Sequence, residues 1–186
     1  MGSDKALLEI NGKICICLIL DKLFLVAEKV FIVLGDNYQN LKKIVKSEYG
    51  SENIEFIFNE NHRQGMYASI KKGFGAVSKT TPIILQLIDQ PFVPENIYTA
   101  LAKAYNNQLI FQPSVKKDGR NRAGHPIIFA PEFANLLLAN EECENLREVI
   151  NLYSNERAFW SVEDSSILDN INSKQALRTK INEIKE

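Results

Sequence analysis

The stretch Pro82-Ile83-Ile84-Leu85-Gln86-Leu87-Ile88-Asp89-Gln90-Pro91-Phe92 decides the fold class. It opens as a nearly unbroken apolar run of strand length, the pattern of a central strand buried on both faces in an α/β protein. A carboxylate ends the run and a proline follows two residues later, and proline can neither continue a ladder nor sit in a central strand. Asp89 is therefore expected at the carboxyl end of a core strand, where open α/β sheets bind their ligands. Two roles fit a single carboxylate there. It can hold a divalent cation that bridges phosphate oxygens, or it can cap the turn or helix that follows.

Outward from this stretch, strands and helices alternate. Upstream, Ala6 to Ile10 is a short apolar patch turned by Asn11-Gly12, and Ile14 to Glu28 is dense enough in apolar residues for a buried helix. Lys29 to Gly35 is a β-branched run read as a strand. Asp36 or Asn37 caps a helix with Leu41, Ile44 and Val45 at helical spacing. Ile54 to Phe58 is a strand, Asn59 to Gln64 a polar loop, and Gly65 to Val77 a helix. Downstream, Pro94 to Tyr105 reads as a helix opened by proline and Glu95. Leu109 to Gln112 is a strand, Val115 to Gly124 a basic loop, and Pro126 to Ala130 a strand. Pro131 to Asn140 and Asn145 to Tyr153 are helices, Ala158 to Val162 is a last strand, and the tail from Ser173 is helical. This order implies a three-layer α/β/α domain with a mostly parallel sheet.

At 186 residues the chain has the length of one domain with a sizeable core. Apolar residues make up 45% and charged residues 24%, and the net charge of −1 gives no electrostatic footprint for nucleic acid. Cys15, Cys17 and Cys143 form no disulfide framework and lack metal-ligand spacing. They read as reduced, core-packed thiols of a cytoplasmic protein. No apolar run is long enough for a transmembrane helix, and the start lacks the features of a signal peptide.

The phosphate loop Gly-x-x-x-x-Gly-Lys-Ser/Thr is absent, Gly73-Phe-Gly75 does not continue into a dinucleotide fingerprint, and there is no Gly-x-Ser-x-Gly elbow. His62 and His125 have no nucleophile at a recognisable spacing. What stands out instead is an ordered set of short segments. Met1-Gly2-Ser3-Asp4-Lys5-Ala6-Leu7-Leu8 is the first, and Asn59-x5-Gly65-Met66-x2-Ser69-Ile70-x2-Gly73 the second. Asp89-Gln90-Pro91, Arg122-Ala123-Gly124-His125-Pro126 and Asn170-Ile171-Asn172-Ser173 follow. Together they resemble the MobA-like nucleotidyltransferases, the family of the molybdenum-cofactor cytidylyltransferases and guanylyltransferases.

The resemblance implies a Rossmann-like fold that binds a nucleoside triphosphate and Mg²⁺ and transfers a nucleoside monophosphate to a phosphorylated acceptor. It implies molybdopterin as that acceptor, with a molybdoenzyme apoprotein as a further partner. Asp-Gln-Pro resembles the cytidylyl branch, so CTP is expected over GTP. By resemblance, Lys5 neutralises triphosphate charge, and Gly2, Gly65, Met66, Ser69 and Gln90 lie at the nucleotide. Asp89 holds the metal with Asn172 as a neutral second ligand, or Asn170 and Asn172 serve only as turn or cap residues. Arg122 and His125 face the acceptor, or His125 braces its loop. Arg120, Lys116 and Lys117 are further candidates for an anionic phosphate.

The family's opening strand and the first part of its glycine-rich loop have no counterpart here. About 10–20 further residues are expected before Met1, the size of a strand and a turn. Two rival readings stand beside the molybdopterin one. They are a sugar-phosphate nucleotidyltransferase and a non-catalytic accessory protein that binds molybdenum cofactor.

Overall fold

Short β-branched runs and helical-period stretches alternate along the chain. The computed structural model, which describes residues 5–36 and 38–171, folds them in that order. A 3-10 turn at Lys5–Leu7 leads into the strands β1 (Glu9–Ile10) and β2 (Lys13–Ile14). Asn11 and Gly12 close this hairpin with φ of 51° and 83°, the positive pair whose twist matches that of the flanking strands. Helix α1 (Cys15–Leu23) follows and buries Cys15, Ile16, Ile19 and Leu20. Next come β3 (Val30–Leu34), α2 (Tyr38–Tyr49), β4 (Ile54–Phe58), α3 (Met66–Ala76) and β5 (Ile83–Leu85). Helix α4 (Glu95–Ala104) starts directly after Pro94. The second half is β6 (Ile110–Lys117), β7 (Arg120–Ala123), β8 (Ile127–Phe129), α5 (Phe133–Ala139), α6 (Leu146–Leu152) and β9 (Arg157–Ser161). A 3-10 turn at Ser165–Leu168 follows it. The expected cap Asn37 and the helical tail from Ser173 lie outside the described residues.

Three details depart from the sequence reading. The strand expected to run up to Asp89 is confined to Ile83–Leu85, because the Gln86 amide turns back to bond the Leu87 and Gln90 carbonyls at 3.1 and 3.2 Å. The loop expected at Val115–Gly124 is a β6–β7 hairpin, turned by Asp118 and Gly119 with φ of 52° and 73°. The pairing is mixed rather than mostly parallel. β3–β4 and β6–β9 are parallel, while β5–β8, β6–β7 and β6–β8 are antiparallel. Pro113 sits inside β6 between the residues that pair with β8 and those that pair with β7, with Trp160 of β9 as its partner across the other edge.

Helices cover both faces of the strands. On one face α1, α2 and α4 pack Ile16, Leu20, Leu41, Val45 and Tyr98 with Val30 and Ile32 of β3 and with Ile84 of β5. On the other, α3, α5 and α6 pack Ile70, Phe74, Phe133 and Val149 with Ile127 and Phe129 of β8 and with Ile83 and Leu85 of β5. This is a three-layer α/β/α architecture. Strands β3 and β4 form one sheet, and β5, β8, β6, β7 and β9 form another. Among the described residues no strand pairs with the edge of β3 away from β4 or with the edge of β5 away from β8. Helix α3 lies against both strands, since a Cβ at Gly73 would sit 3.1 Å from Val33 while Ile70 and Phe74 share a cluster with Ile83 and Leu85. No helix among the described residues is long and apolar enough to cross a membrane.

Candidate functional site

After β5 the chain turns, and contacts from distant segments hold that turn through its backbone. The Cys15 thiol donates to the Ile88 carbonyl at 3.2 Å, and Lys22 Nζ donates to the Pro91 carbonyl at 2.5 Å. The Ile171 N–H donates to the Asp89 carbonyl at 2.7 Å. With the backbone held this way, the Asp89 side chain is not needed to cap the turn. Its Oδ2 lies 3.4 Å from Lys5 Nζ, with the two side chains 23% and 29% exposed. Its Oδ1 is buried and has no hydrogen-bond partner.

An unpartnered buried carboxylate oxygen costs on the order of 1–3 kcal/mol, a cost that a ligand at this oxygen would offset. A hard divalent cation fits it, being an oxygen-seeking ion that takes one or two carboxylates alongside phosphate oxygens and water. Among the described residues no group of three His, Cys, Asp or Glu gathers into a complete cage. Asp89 would therefore be a single protein ligand beside substrate oxygens. The Ile171 N–H brings the chain just after Asn170 to Asp89. Asn170 is exposed, while Asn172, the expected second ligand, lies outside the described residues, as does Gly2.

His125 stands close enough to Asp89 for the carboxylate charge to act on its ring. Burial pushes the imidazole below its ordinary value, and a hydrogen bond with the Leu85 backbone and the Asp89 charge oppose that shift. Its Nδ1 is buried without a partner, while its backbone N–H donates to the Ile167 carbonyl at 3.1 Å. The residue thus braces its loop through the main chain and leaves one ring atom without a partner. Gly124 before it has no alternative, since a Cβ there would lie 2.3 Å from the Ile167 carbonyl oxygen. Gln112, buried in β6, secures the same turn by donating to the Gly124 carbonyl at 3.3 Å and accepting from Arg157 Nε at 3.1 Å. Arg122, Arg120, Lys116 and Lys117 are all exposed on the adjoining hairpin.

Gly65, Met66 and Ser69 form a second group where β4 gives way to α3. Gly65 caps the helix with φ of 104°, a conformation that suits glycine, and among the described residues no side chain caps the first turn. The N–H groups of that turn therefore point outward beside the exposed Met66. Ser69 Oγ accepts from the Asn59 amide at 3.0 Å, which fixes the hydroxyl and leaves its proton for a further acceptor. Asn59 is 2% exposed and also accepts the Asn61 N–H, so it anchors the loop. Gln90 is buried at 4% exposure with Oε1 lacking a partner.

Sequence reasoning missed Lys22, Gln112, Asn59 as an anchor, and the hydrogen-bonding role of Cys15. For Lys22 a signal existed, a cation interrupting the apolar face of α1. Burial lowers its pKa and the Glu95 charge opposes this.

A family model, the MobA-like NTP transferase domain, matches residues 1–158. No curated protein matches the chain in sequence. Solved structures share the fold at low identity. The 4-diphosphocytidyl-2C-methyl-D-erythritol synthase of Anaerococcus prevotii DSM 20548 is 14% identical, with 96% of this chain and 88% of that one covered and a TM-score of 0.76. Rv0371c of Mycobacterium tuberculosis H37Rv is 15% identical over 98% and 91% of the chains, with a TM-score of 0.77. A structure of Rv0371c in complex with manganese is 18% identical over 97% and 93%, with a TM-score of 0.71.

Proposed function

The chain belongs to the MobA-like NTP transferase family, and from that premise we propose that it transfers CMP from CTP to the phosphate of a small phosphorylated acceptor. The observation that supports this most is the Lys5–Asp89 pair, with its buried and unpartnered carboxylate oxygen beside the half-buried His125. In the step, an acceptor phosphate oxygen attacks the α-phosphorus in line. A new P–O bond forms, the bond from the α-phosphorus to the bridging oxygen breaks, and pyrophosphate leaves with the electron pair. Lys5 supplies a cation for the triphosphate oxygens, and Asp89 holds the position where a divalent cation would neutralise the α- and β-phosphates. The first turn of α3 and the Ser69 hydroxyl offer hydrogen bonds to base or ribose, and Gln90 the contact that favours CTP. Arg122 and the His125 ring would receive the acceptor. The protein's work is positioning and charge neutralisation, since phosphoryl chemistry asks little else of side chains.

Two acceptor classes have support. The ordered motifs resemble the molybdenum-cofactor branch and favour molybdopterin. The solved synthase whose name describes a diphosphocytidyl methylerythritol favours a sugar or polyol phosphate. Pyrophosphate release with CTP and with GTP, across a panel holding molybdopterin and several sugar and polyol phosphates, distinguishes them. The proposal expects a higher kcat/KM with CTP than with GTP, and equal or reversed values would remove Gln90 from base recognition. No release with any pair would favour the non-catalytic accessory reading.

A further inference from the structure

We propose that His62 is a positioning residue for the nucleotide, acting through Asn59 and Ser69; this rests on the nucleotidyl-transfer reading above. The ring lies where the ends of two parallel strands meet. It follows β4 by a short turn and packs on Gly35, the residue after β3, so closely that a Cβ there would be 2.8 Å from His62 Cγ. Its Nδ1–H donates to the Asn59 carbonyl at 3.0 Å, and its backbone N–H reaches the same oxygen at 3.2 Å. Its shielded Nε2 stands 3.0 Å from Asp36 Oδ1 without an aligned hydrogen bond. One ring therefore ties the end of β3, through Gly35 and Asp36, to Asn59 at the end of β4.

Asn59 passes this constraint on. Its amide holds Ser69 Oγ on the first turns of α3, while Gln64 and Gly65 bond back to the Asn61 and His62 carbonyls at 2.9 and 3.3 Å. The uncapped start of α3 is thus placed by a chain of contacts that begins at the His62 ring. No ligand contact of His62 itself is required. A residue that only fills space would not need both ring nitrogens beside acceptors, nor a glycine opposite its face.

The test compares the wild-type protein with His62→Ala, His62→Asn and Gly35→Ala, using CTP and the phosphomonoester that turns over fastest in the panel above. His62→Ala is expected to raise KM for CTP about tenfold, the lower end of what a hydrogen bond to a charged group contributes. It should leave kcat and KM for the acceptor near wild type. His62→Asn keeps a donor near Nδ1 and should fall between. Gly35→Ala keeps the histidine but displaces its ring and should match His62→Ala. Amide exchange at Gln64 and Gly65 should quicken in both alanine variants. An unchanged KM for CTP in either one, or unchanged exchange, overturns the role. A wild-type protein that transfers no nucleotide sinks the functional reading and the nucleotide role with it. Exchange then still decides whether the clamp exists, because it needs no turnover.

Discussion

Burial fixes the state of His125. With its pKa held below the ordinary 6.5, the folded protein resists a proton that the unfolded chain accepts. Between those two values the unfolded state binds more protons, so stability falls as pH drops through 6.5 toward the lowered folded value. His125→Gln should flatten this fall, read as urea midpoints at about pH 7.5 and about pH 5.5. An unchanged difference between the two midpoints would show that the ring is solvated. At this scale the place of Asp89, in the turn after a core strand, was legible because its signal is local, a carboxylate ending an apolar run with Pro91 close behind. Lys22 and Gln112 were not, because their roles exist only once the chain closes. Lys22 meets Pro91 across 69 residues, and Gln112 meets Arg157 across 45.

Helix α6 shows what a cap contributes to a short element. It spans Leu146–Leu152 and buries only Val149 and Ile150, so packing alone holds it weakly. Asn145 Oδ1 accepts the Glu148 N–H at 3.1 Å, while the Glu148 carboxylate accepts from Asn145 Nδ2 and from the Glu144 N–H, both at 2.7 Å. This reciprocal capping box satisfies donors that a helix start otherwise leaves open. Asn145→Ala should lower stability by about 1 kcal/mol, measured by urea unfolding, and no loss would mean that packing holds the helix unaided. Elements with such local signals were readable, β4 at Ile54–Phe58 and α4 after Pro94 among them. β5 was overextended because Leu87 and Ile88 carry strand-like apolarity but serve a packed turn. The β6–β7 hairpin was missed because its cations masked the strands, although Asp118-Gly119 is a strong turn signal.

Among the described residues, helices are laid over two larger sheets, and the edges of β3 and β5 that no described strand pairs lie under the same helix α3. Unpaired strand edges expose backbone donors and acceptors, and pairing them is favourable. An added N-terminal segment of about 10–20 residues, an apolar strand and a small-residue loop, should pair there and raise the unfolding temperature. Each kcal/mol gained corresponds to roughly 2–4 °C in a domain of this size. An unchanged melting temperature would show that the edges do not accept a strand. The α/β/α layering was legible from alternation alone. The split of the sheet was not, because strand pairing depends on which edges meet.

The central claim is that nucleotidyl transfer depends on the Asp89 carboxylate, and one comparison tests it most directly. Wild-type protein and Asp89→Ala are incubated with CTP, Mg²⁺ and the acceptor panel, and the products are followed by phosphorus NMR, with folding checked by urea unfolding. The account predicts a new phosphoanhydride, joining CMP to the acceptor phosphate, and free pyrophosphate with the wild-type protein. It predicts neither with Asp89→Ala, at a stability cost of only about 1 kcal/mol. Transfer that proceeds undiminished in Asp89→Ala at saturating Mg²⁺ would contradict it.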